Sequence, residues 1–202
     1  MNKYSVIVFD LGNVLLPFDY SKAINHFNNL KPNLGNKFSK LYQENYHIHR
    51  NFEGGKITRE DFLSTMVNWL ENKVDGENFC KVFSDIFTLN EDVISLLPKI
   101  KENYKLVLLS NTNEIHKQYG YEHYEFLKNF DKLFLSHEIG AIKPEKEIYY
   151  AVEEYTQKPS AEHLFIDDII DYVEGAKKCG WDAIQFTGYD NLVYELKIRR
   201  IL

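Results

Sequence analysis

The sequence predicts an α/β protein with a parallel, doubly wound sheet and an inserted group of helices. Short apolar runs rich in Val, Ile and Leu recur along the chain, and segments with helical periodicity separate them. This alternation is typical of βαβ units, whose strands run parallel. Between the first two apolar runs, at about residues 19–87, apolar residues recur only at helical spacing, which indicates the insertion.

The composition is that of a soluble globular protein. The 202 residues suffice for one domain with a modest insertion, and 44% hydrophobic residues argue against disorder. The net charge of −6, without a basic stripe, leads us to expect no binding to nucleic acid or membranes. Cys80 and Cys179 lack metal-ligand spacing, so we expect free thiols. With no signal peptide or membrane-length apolar run, we expect a cytoplasmic protein.

The first strand has the residues Ser5-Val6-Ile7-Val8-Phe9, an apolar run typical of a strand buried on both faces. Asp10 follows it directly, and Gly12 and Asn13 then turn the chain. A carboxylate at the end of a central strand lies where open α/β sheets bind their ligands. Taken alone, Asp10 is better explained as a cap of the turn or of the next helix.

The inserted segment is predicted to be helical. Its apolar residues recur at intervals of three and four: Ala23, Phe27, Leu30, Phe38, Leu41, Tyr42, Phe62, Met66, Trp69 and Leu70. Thr58 followed by Asp61 resembles a capping box, so a helix is predicted to begin there.

From Asn90 onward, predicted helices and strands alternate. Strands are predicted at residues 104–109, 132–135, 163–166 and 183–186, and helices at 90–97, from about 113, at 145–155 and at 171–178. Asn90 is expected to cap its helix, and Pro98 to kink it. Pro144 is expected at the first position of the helix 145–155.

Polar side chains follow three of the predicted strands, and one lies in a loop before a helix. They are Asp10, Ser110, Asn111, Lys143, Asp167 and Asp168. The carboxyl ends of parallel strands lie along one edge of a sheet, so these groups should converge. Each one alone also has a structural explanation, as a turn residue, a helix cap or a solvated surface charge. Only their joint placement indicates a site.

These groups have complementary chemistry. Asp10 beside Asp167 or Asp168 is repulsive unless a cation lies between them, and Mg²⁺ prefers such hard oxygen ligands. Ser110 and the backbone amides after it open a helix, which suits an anion. Lys143 supplies a point charge suited to phosphate. The set indicates phosphoryl transfer to a carboxylate.

The segments FDLGNV, LLSNTN, GAIKPE and IDDIIDYVEGA resemble the four motifs of the haloacid dehalogenase-like (HAD) hydrolase superfamily, in that family's order. The resemblance covers essentially the whole chain. It implies a Rossmann-like core with strand order 5-4-1-2-3, formed by residues 1–16 and 88–202. Residues 17–87 would form a small helical cap that closes over the site.

The resemblance also implies roles for individual residues. Asp10 would be the nucleophile that forms an aspartyl-phosphate, and the backbone carbonyl of Gly12 would bind Mg²⁺. Asp167 would ligate the metal, with Asp168 as a second ligand or a neighbour of the first.

The phosphoryl group would be bound by Ser110, Asn111 and Lys143. We therefore expect a Mg²⁺-dependent, monomeric phosphatase that acts on a small phosphorylated metabolite, such as a sugar phosphate.

One departure from the family pattern concerns Gly12. Most phosphatases of the family have a second Asp there, which protonates the leaving group, and losing a positioned acid typically costs about 10²–10⁴ in rate. A subgroup resembling sugar-phosphate phosphatases also reads DLGNV. Two alternatives stay open: a metal-independent dehalogenase, and a catalytically weak protein that binds a ligand or partner. Ile169 and Tyr172 also replace commonly polar residues in the last motif.

Substrate identity depends on the cap, about which the sequence says little. The stretch from Tyr42 to His49 mixes aromatic and polar groups and is consistent with a surface helix or a site wall. His116 is expected on a helix surface, with a place in the wall of the site as the alternative. Asp19, just beyond the nucleophile loop, is a candidate for the missing acid.

Overall fold

The computed structural model describes residues 3–202. Five parallel strands form one sheet in the order β3-β2-β1-β4-β5. They are β1 (Val6–Phe9), β2 (Lys105–Ser110), β3 (Lys132–Leu135), β4 (His163–Asp167) and β5 (Asp182–Gln185). The predicted α/β class and strand order are confirmed.

The central strand β1 is buried on both faces because its side chains alternate between two hydrophobic clusters. Ile7 and Phe9 belong to one cluster, and Val6 and Val8 belong to the other. Phe9 lies opposite residues of both β2 and β4, so all three strands end at the same edge of the sheet. The polar residues that follow them are therefore neighbours in space.

Twelve α-helices connect or cover these strands within residues 3–202. Before β2 they are α1 (Ser21–Leu30), α2 (Leu34–Glu44), α3 (Tyr46–Glu53), α4 (Arg59–Trp69), α5 (Gly76–Ser84), α6 (Glu91–Ile94) and α7 (Leu97–Lys101). After β2 they are α8 (Glu114–His116), α9 (Ser136–Ile139), α10 (Lys146–Thr156), α11 (Ile170–Lys178) and α12 (Tyr189–Ile198). A π-helical turn, Lys117–Tyr121, continues α8.

Helices α1 to α5 pack around a hydrophobic cluster of their own, as an inserted helical unit should. Its aromatic centre includes Phe27, Phe62, Phe79 and Phe83. Helix α4 begins where the capping box predicts, because Oγ1 of Thr58 accepts the Asp61 N–H at 3.1 Å.

Two predictions about helix caps are wrong, although α6 does begin directly after Asn90. Asn90 makes no side-chain cap; its Nδ2 instead donates to the carbonyl of Val14 at 2.9 Å. Pro144 lies two residues before the start of α10, because the Glu145 N–H closes a turn onto the carbonyl of Ile142 at 2.8 Å. The interruption near Pro98 is correct, since the chain forms two short helices, α6 and α7.

Two observations concern the expectations from composition. Cys80 and Cys179 are both free. Among residues 3–202, none of the helices has the length and apolar character needed to cross a bilayer.

Candidate active site

Asp10 extends the central strand by one residue and ends it inside the protein. Its N–H donates to the carbonyl of Ile166 on β4 at 2.9 Å, and the residue is only 6% exposed. The chain then turns away at Asn13, whose φ of 54° lies in the left-handed region that Asn tolerates. The Asn13 side chain donates to Oδ2 of Asp168 at 3.2 Å, which ties the turn after β1 to the end of β4.

Lys143 is completely buried beside Asp10. Its Nζ lies 2.8 Å from Oδ1 of Asp10, 2.6 Å from Oδ2 of Asp167 and 3.2 Å from the carbonyl of Leu109. Three acceptors match the three donors of an ammonium group. Burial by itself would lower the pKa of Lys143, but the two carboxylates outweigh it and raise this pKa above its usual value. The lysine is therefore charged.

Asn111 holds the backbone of Lys143 from the end of β2. Its Oδ1 accepts the Lys143 N–H at 2.8 Å, and its Nδ2 donates to the Lys143 carbonyl at 3.2 Å. Both polar atoms of the Asn111 side chain therefore already bond Lys143. Phosphate binding by Asn111 stays a prediction, and we expect it to use the backbone amide.

Three carboxylates form an acidic cluster at this edge. Ligand oxygens of Asp10, Asp167 and Asp168 lie within 4.8 Å of one another. Burial raises the pKa of Asp10 to about 7, with a smaller contribution in the same direction from Asp167, against the opposing effect of Lys143. Burial and then Asp167 also raise the pKa of Asp168. One ammonium does not balance three carboxylates, and the hard oxygen donors fit a divalent cation such as Mg²⁺.

A cavity of about 160 Å³ opens above this cluster, between the sheet edge and the inserted helices. Its core side includes Asp10, Gly12, Ser110, Asn111, Lys143 and Asp168. Ser110, the last residue of β2, is buried beneath it. Thus every predicted site residue except Asp167 lines one cavity, and Asp167 bonds to Lys143 directly below it.

Gly12 lies close to an aromatic side chain. A Cβ added there would meet Cε1 of Phe18 at 3.2 Å, so a larger residue at this position must displace the Phe18 ring slightly.

The opposite wall contains two residues that the sequence pattern did not indicate, Arg50 and Glu53 of α3. They line the cavity together with Tyr46 and His49, which belong to the stretch for which a site wall was one of the two expectations. Nε2 of His49 lies 3.1 Å from Oε1 of Glu53, and Nη1 of Arg50 lies 2.9 Å from Oε2. Burial raises the pKa of Glu53, but these two partners outweigh it and lower that pKa overall. The spacing of three and four residues between them was the available signal, because it places all three on one helix face.

His116 is buried in the cavity wall, so its expected place on a helix surface is wrong and the alternative, a place in the site wall, agrees with the structure. Its Nε2 lies 3.1 Å from the hydroxyl of Tyr20 and its Nδ1 3.3 Å from Oγ of Ser84. The ring stacks on Phe83 with centroids 4.5 Å apart. Burial lowers the pKa of His116 to about 3, so this cavity-wall histidine is neutral.

Asp19 does not fit the role of a substitute acid. It faces solvent outside the cavity lining and accepts hydrogen bonds from the N–H and the hydroxyl of Ser21 at 2.8 and 2.7 Å. These bonds lower its pKa, whereas an acid catalyst needs a raised one.

The model of the haloacid dehalogenase-like hydrolase family matches residues 4–180. The chain belongs to this family. The predicted superfamily is thereby confirmed, and the protein is a hydrolase. The match spans the end of each of the strands β1, β2 and β4, and hence every residue of the acidic cluster.

Individual relatives cover nearly the full chain. D-ribitol-5-phosphate phosphatase of Bacteroides thetaiotaomicron is 25% identical over 189 residues, which make up 89% of this chain and 90% of the relative. A HAD family enzyme of the same organism, solved with magnesium and inorganic phosphate, is 26% identical with a TM-score of 0.77, covering 90% and 93% of the two chains. A predicted HAD-like family hydrolase of Porphyromonas gingivalis has the same fold, with a TM-score of 0.82 at 20% identity over 98% of each chain.

Proposed function

We propose that this protein is a Mg²⁺-dependent phosphatase that hydrolyses a small phosphorylated metabolite. The observation that carries the proposal is the cluster formed by the buried Asp10, Lys143 and Asp167 with the half-buried Asp168. It combines a carboxylate placed to act as a nucleophile, a fixed cation and oxygen ligands that suit a metal ion. The relatives support it, since one is a phosphatase and another was solved with magnesium and phosphate.

Asp10, Asp167, Asp168 and the backbone carbonyl of Gly12 are the groups we assign to Mg²⁺. When bound, the ion neutralises charge on the phosphoryl oxygens and offsets repulsion among the carboxylates.

In the first step, a carboxylate oxygen of Asp10 attacks phosphorus while the bond to the leaving oxygen breaks. The products are an aspartyl-phosphate and the released alcohol, which takes a proton from an acid or from water. Lys143 and Ser110 hold the phosphoryl oxygens and keep phosphorus in line with Asp10. Water then attacks the aspartyl-phosphate, which releases inorganic phosphate and regenerates the Asp10 carboxylate.

We propose that residues 17–87 form a cap on the core of residues 1–16 and 88–202. The two connecting segments bond to each other, since the Asp19 N–H donates to the carbonyl of Ile86 at 3.0 Å and the Thr88 N–H to that of Pro17 at 2.8 Å. A paired, two-stranded connection of this kind suits a hinge, and closure about it would exclude water from the attack.

The charges of the cavity favour a substrate with one phosphate and a neutral, hydroxyl-bearing remainder. Opposite the sheet edge, Arg50 and His49 of the cap both pair with Glu53, and His116, which belongs to the core, is neutral. Within residues 3–202, none of these three groups is therefore a cation without a protein partner that could take up a second anionic group. Paired polar groups beside Tyr20 and Tyr46 suit hydroxyl groups. We therefore propose a polyol or sugar phosphate.

The test is a turnover screen of phosphate esters with Mg²⁺ and with excess EDTA. We expect phosphate release from D-ribitol 5-phosphate or a related sugar phosphate only with Mg²⁺, and none from sugar bisphosphates. Release of halide from a 2-haloacid in EDTA would instead establish the dehalogenase alternative, against which the acidic cluster argues. Binding without any turnover would establish the catalytically weak protein. A monomeric state and a cytoplasmic location stay predictions.

A further inference from the structure

Arg50 lies in the proposed cap, on the cavity wall opposite the sheet edge. Among the side chains of residues 17–87, it alone forms a hydrogen bond with the backbone of Lys143. Its Nη2 donates to the Lys143 carbonyl at 3.1 Å, and its Nη1 lies 3.3 Å from the hydroxyl of Tyr172 on α11. Nη1 also bonds Glu53 at 2.9 Å, within its own helix. A single guanidinium therefore joins α3 to the lysine loop and to α11.

These contacts reach Lys143 from two directions. The Nζ of Lys143 lies 5.0 Å from the centre of the Tyr172 ring. Arg50 therefore bonds the carbonyl of Lys143 and also the hydroxyl of the tyrosine whose ring faces the Lys143 ammonium. The same carbonyl accepts Nδ2 of Asn111 from the end of β2. The backbone of Lys143 is thus held by one core side chain and by one side chain of the inserted helices.

The obvious role for an arginine in a phosphatase cavity is to bind an anion of the substrate. In this structure both terminal nitrogens of Arg50 already bond protein groups, and Glu53 neutralises its charge. Glu53 is itself held by His49 on the next turn of α3. This arrangement orients the arginine toward the lysine loop and leaves it poorly suited to take up a second anion.

We propose that Arg50 is a positioning residue that completes the active site only when α3 is docked on the core. Docking places the guanidinium against the Lys143 carbonyl and the Tyr172 hydroxyl, which orients the ammonium toward Asp10 and Asp167. Withdrawal of α3 releases both contacts. Because the readout is phosphate-ester turnover, this part of the inference rests on the proposed function.

The chain offers a matched control in Arg59. It also joins the inserted helices to the rest of the chain, since its Nη1 lies 2.7 Å from Oε1 of Gln118 and its Nη2 3.1 Å from the hydroxyl of Tyr119. These partners belong to the π-helical turn and lie outside the cavity lining. Arg50→Lys and Arg59→Lys both keep the positive charge, but an ammonium cannot reproduce a planar fork that bridges several acceptors.

The experiment compares the two variants on para-nitrophenyl phosphate and on D-ribitol 5-phosphate. The first substrate has no sugar hydroxyl groups, so its turnover does not depend on contacts to them. We expect Arg50→Lys to lower kcat for both by the same factor, on the order of 10–10², with KM nearly unchanged, as a misplaced catalytic group does. Arg59→Lys should retain wild-type turnover. A loss confined to kcat/KM for the sugar phosphate would show that Arg50 contacts the substrate. An equal loss in Arg59→Lys would show that Arg50 only helps to hold the inserted helices against the rest of the chain. Either result overturns the proposal.

Hydrogen exchange provides a readout that does not depend on activity. The Lys143 and Glu145 amides, which bond Asn111 and Ile142 at 2.8 Å each, should exchange faster in Arg50→Lys and remain unchanged in Arg59→Lys. Unchanged exchange in both variants overturns the proposal. If the wild type hydrolyses no phosphate ester, the proposed function fails, while the exchange result still decides whether Arg50 holds this loop.

Tyr172→Phe guards against a folding defect in the Arg50 variant. It removes only the hydroxyl, keeps the ring beside Lys143 and leaves the bond from the Tyr149 hydroxyl to the Tyr172 carbonyl in place. We expect a smaller fall in kcat, and a non-additive effect when it is combined with Arg50→Lys, because both act on one contact. Strict additivity would show that the two residues act independently and would contradict the arrangement.

Discussion

The ammonium of Lys143 lies 2.8 Å from a carboxylate oxygen of Asp10, and both side chains are almost completely buried. The pair is not isolated, because Asp167 contacts the same ammonium at 2.6 Å. In a buried pair, removal of one partner leaves the other charge uncompensated, at a cost of about 3–5 kcal/mol. Asp10 and Lys143 differ in this respect. Without Asp10, the ammonium keeps Asp167 as a partner, whereas without Lys143 both carboxylates lose their cation.

Asp10→Asn should abolish turnover and leave the fold intact. An amide does not attack phosphorus, whereas Lys143 keeps Asp167 as a counter-ion. Lys143→Met should also be inactive but less stable by about 3–5 kcal/mol, since it leaves two buried carboxylates without a cation. Urea unfolding and phosphate release check both statements. Near-wild-type turnover by cleanly purified Asp10→Asn would remove Asp10 from the nucleophile role.

Mg²⁺ should stabilise the folded protein, because only the folded chain brings Asp10, Asp167 and Asp168 together. At a concentration of 100 times its Kd, a ligand specific to the folded state contributes about 2.7 kcal/mol. Thermal unfolding with EDTA, Mg²⁺ and Ca²⁺ measures this effect, and we expect turnover with Mg²⁺ but little with Ca²⁺, whose looser coordination misplaces the attacking group.

Asp168→Asn is the control for the metal prediction. It should reduce the Mg²⁺-dependent rise in Tm and leave the Tm in EDTA unchanged or higher, since one repulsive carboxylate is gone. An undiminished Mg²⁺ effect in this variant would place the ion elsewhere.

Gly12→Asp should accelerate alkyl phosphates more than aryl phosphates, by up to about 10²–10⁴. Without an acid beside the leaving oxygen, hydrolysis depends on the ability of that oxygen to carry charge, and an alkyl oxygen does so poorly. Any residue larger than Gly must first shift the Phe18 ring, which lies 3.2 Å from the new Cβ.

Gly12→Asn tests that steric effect separately, since it has nearly the same shape without an acidic proton. Its rate on both classes of ester gives the cost of moving Phe18. If Gly12→Asp gains nothing over Gly12→Asn, and the wild type already hydrolyses both classes equally well, another group acts as the acid.

His116 should make the protein less stable in mild acid. Burial, with a smaller effect from the nearby His49, holds the folded-state pKa of His116 at about 3, below the ordinary 6.5, while Glu53 acts in the opposite direction. The adjacent Tyr20 is neutral, because burial raises its pKa. Below pH 6.5 the unfolded chain therefore binds a proton that the folded chain does not, and stability falls by about 1.4 kcal/mol per pH unit until the pH nears 3.

His116→Gln removes this contribution and keeps a polar side chain for Tyr20 and Ser84. The difference in unfolding free energy between variant and wild type, measured by urea unfolding at several pH values from neutral to mildly acidic, should shift in favour of the variant as the pH falls. A difference that does not change with pH would mean that His116 has the same pKa in the folded and the unfolded chain.

The sheet and its polar edge could be predicted because local pattern dictates them. The strand Lys132–Leu135 begins and ends where predicted. Strand β4 is one residue longer than predicted, because it includes Asp167. A short apolar run followed at once by a polar residue identifies both a buried strand and its end. Parallel topology then brings Asp10, Ser110 and Asp167 to one edge.

The errors occur where a long-range contact competes with a local preference. Asn90 is a good helix cap, but its amide bonds Val14 across the start of the helical insertion. His116 follows the Asn113 cap by three residues, which predicts an exposed position. The packing of α5 and Tyr20 against that turn buries it instead.

Periodicity and the residue types at strand ends, which act over a few residues, were enough to predict the α/β class and the set of polar residues at the sheet edge. The strand order came from the resemblance of four segments to the family motifs. Only the tertiary structure decided that Arg50 contacts the Lys143 carbonyl, that Glu53 is paired by His49, and that Asn111 holds the lysine loop. Such pairings depend on how α3 packs against the core, and that packing is set by many contacts between residues far apart in the chain.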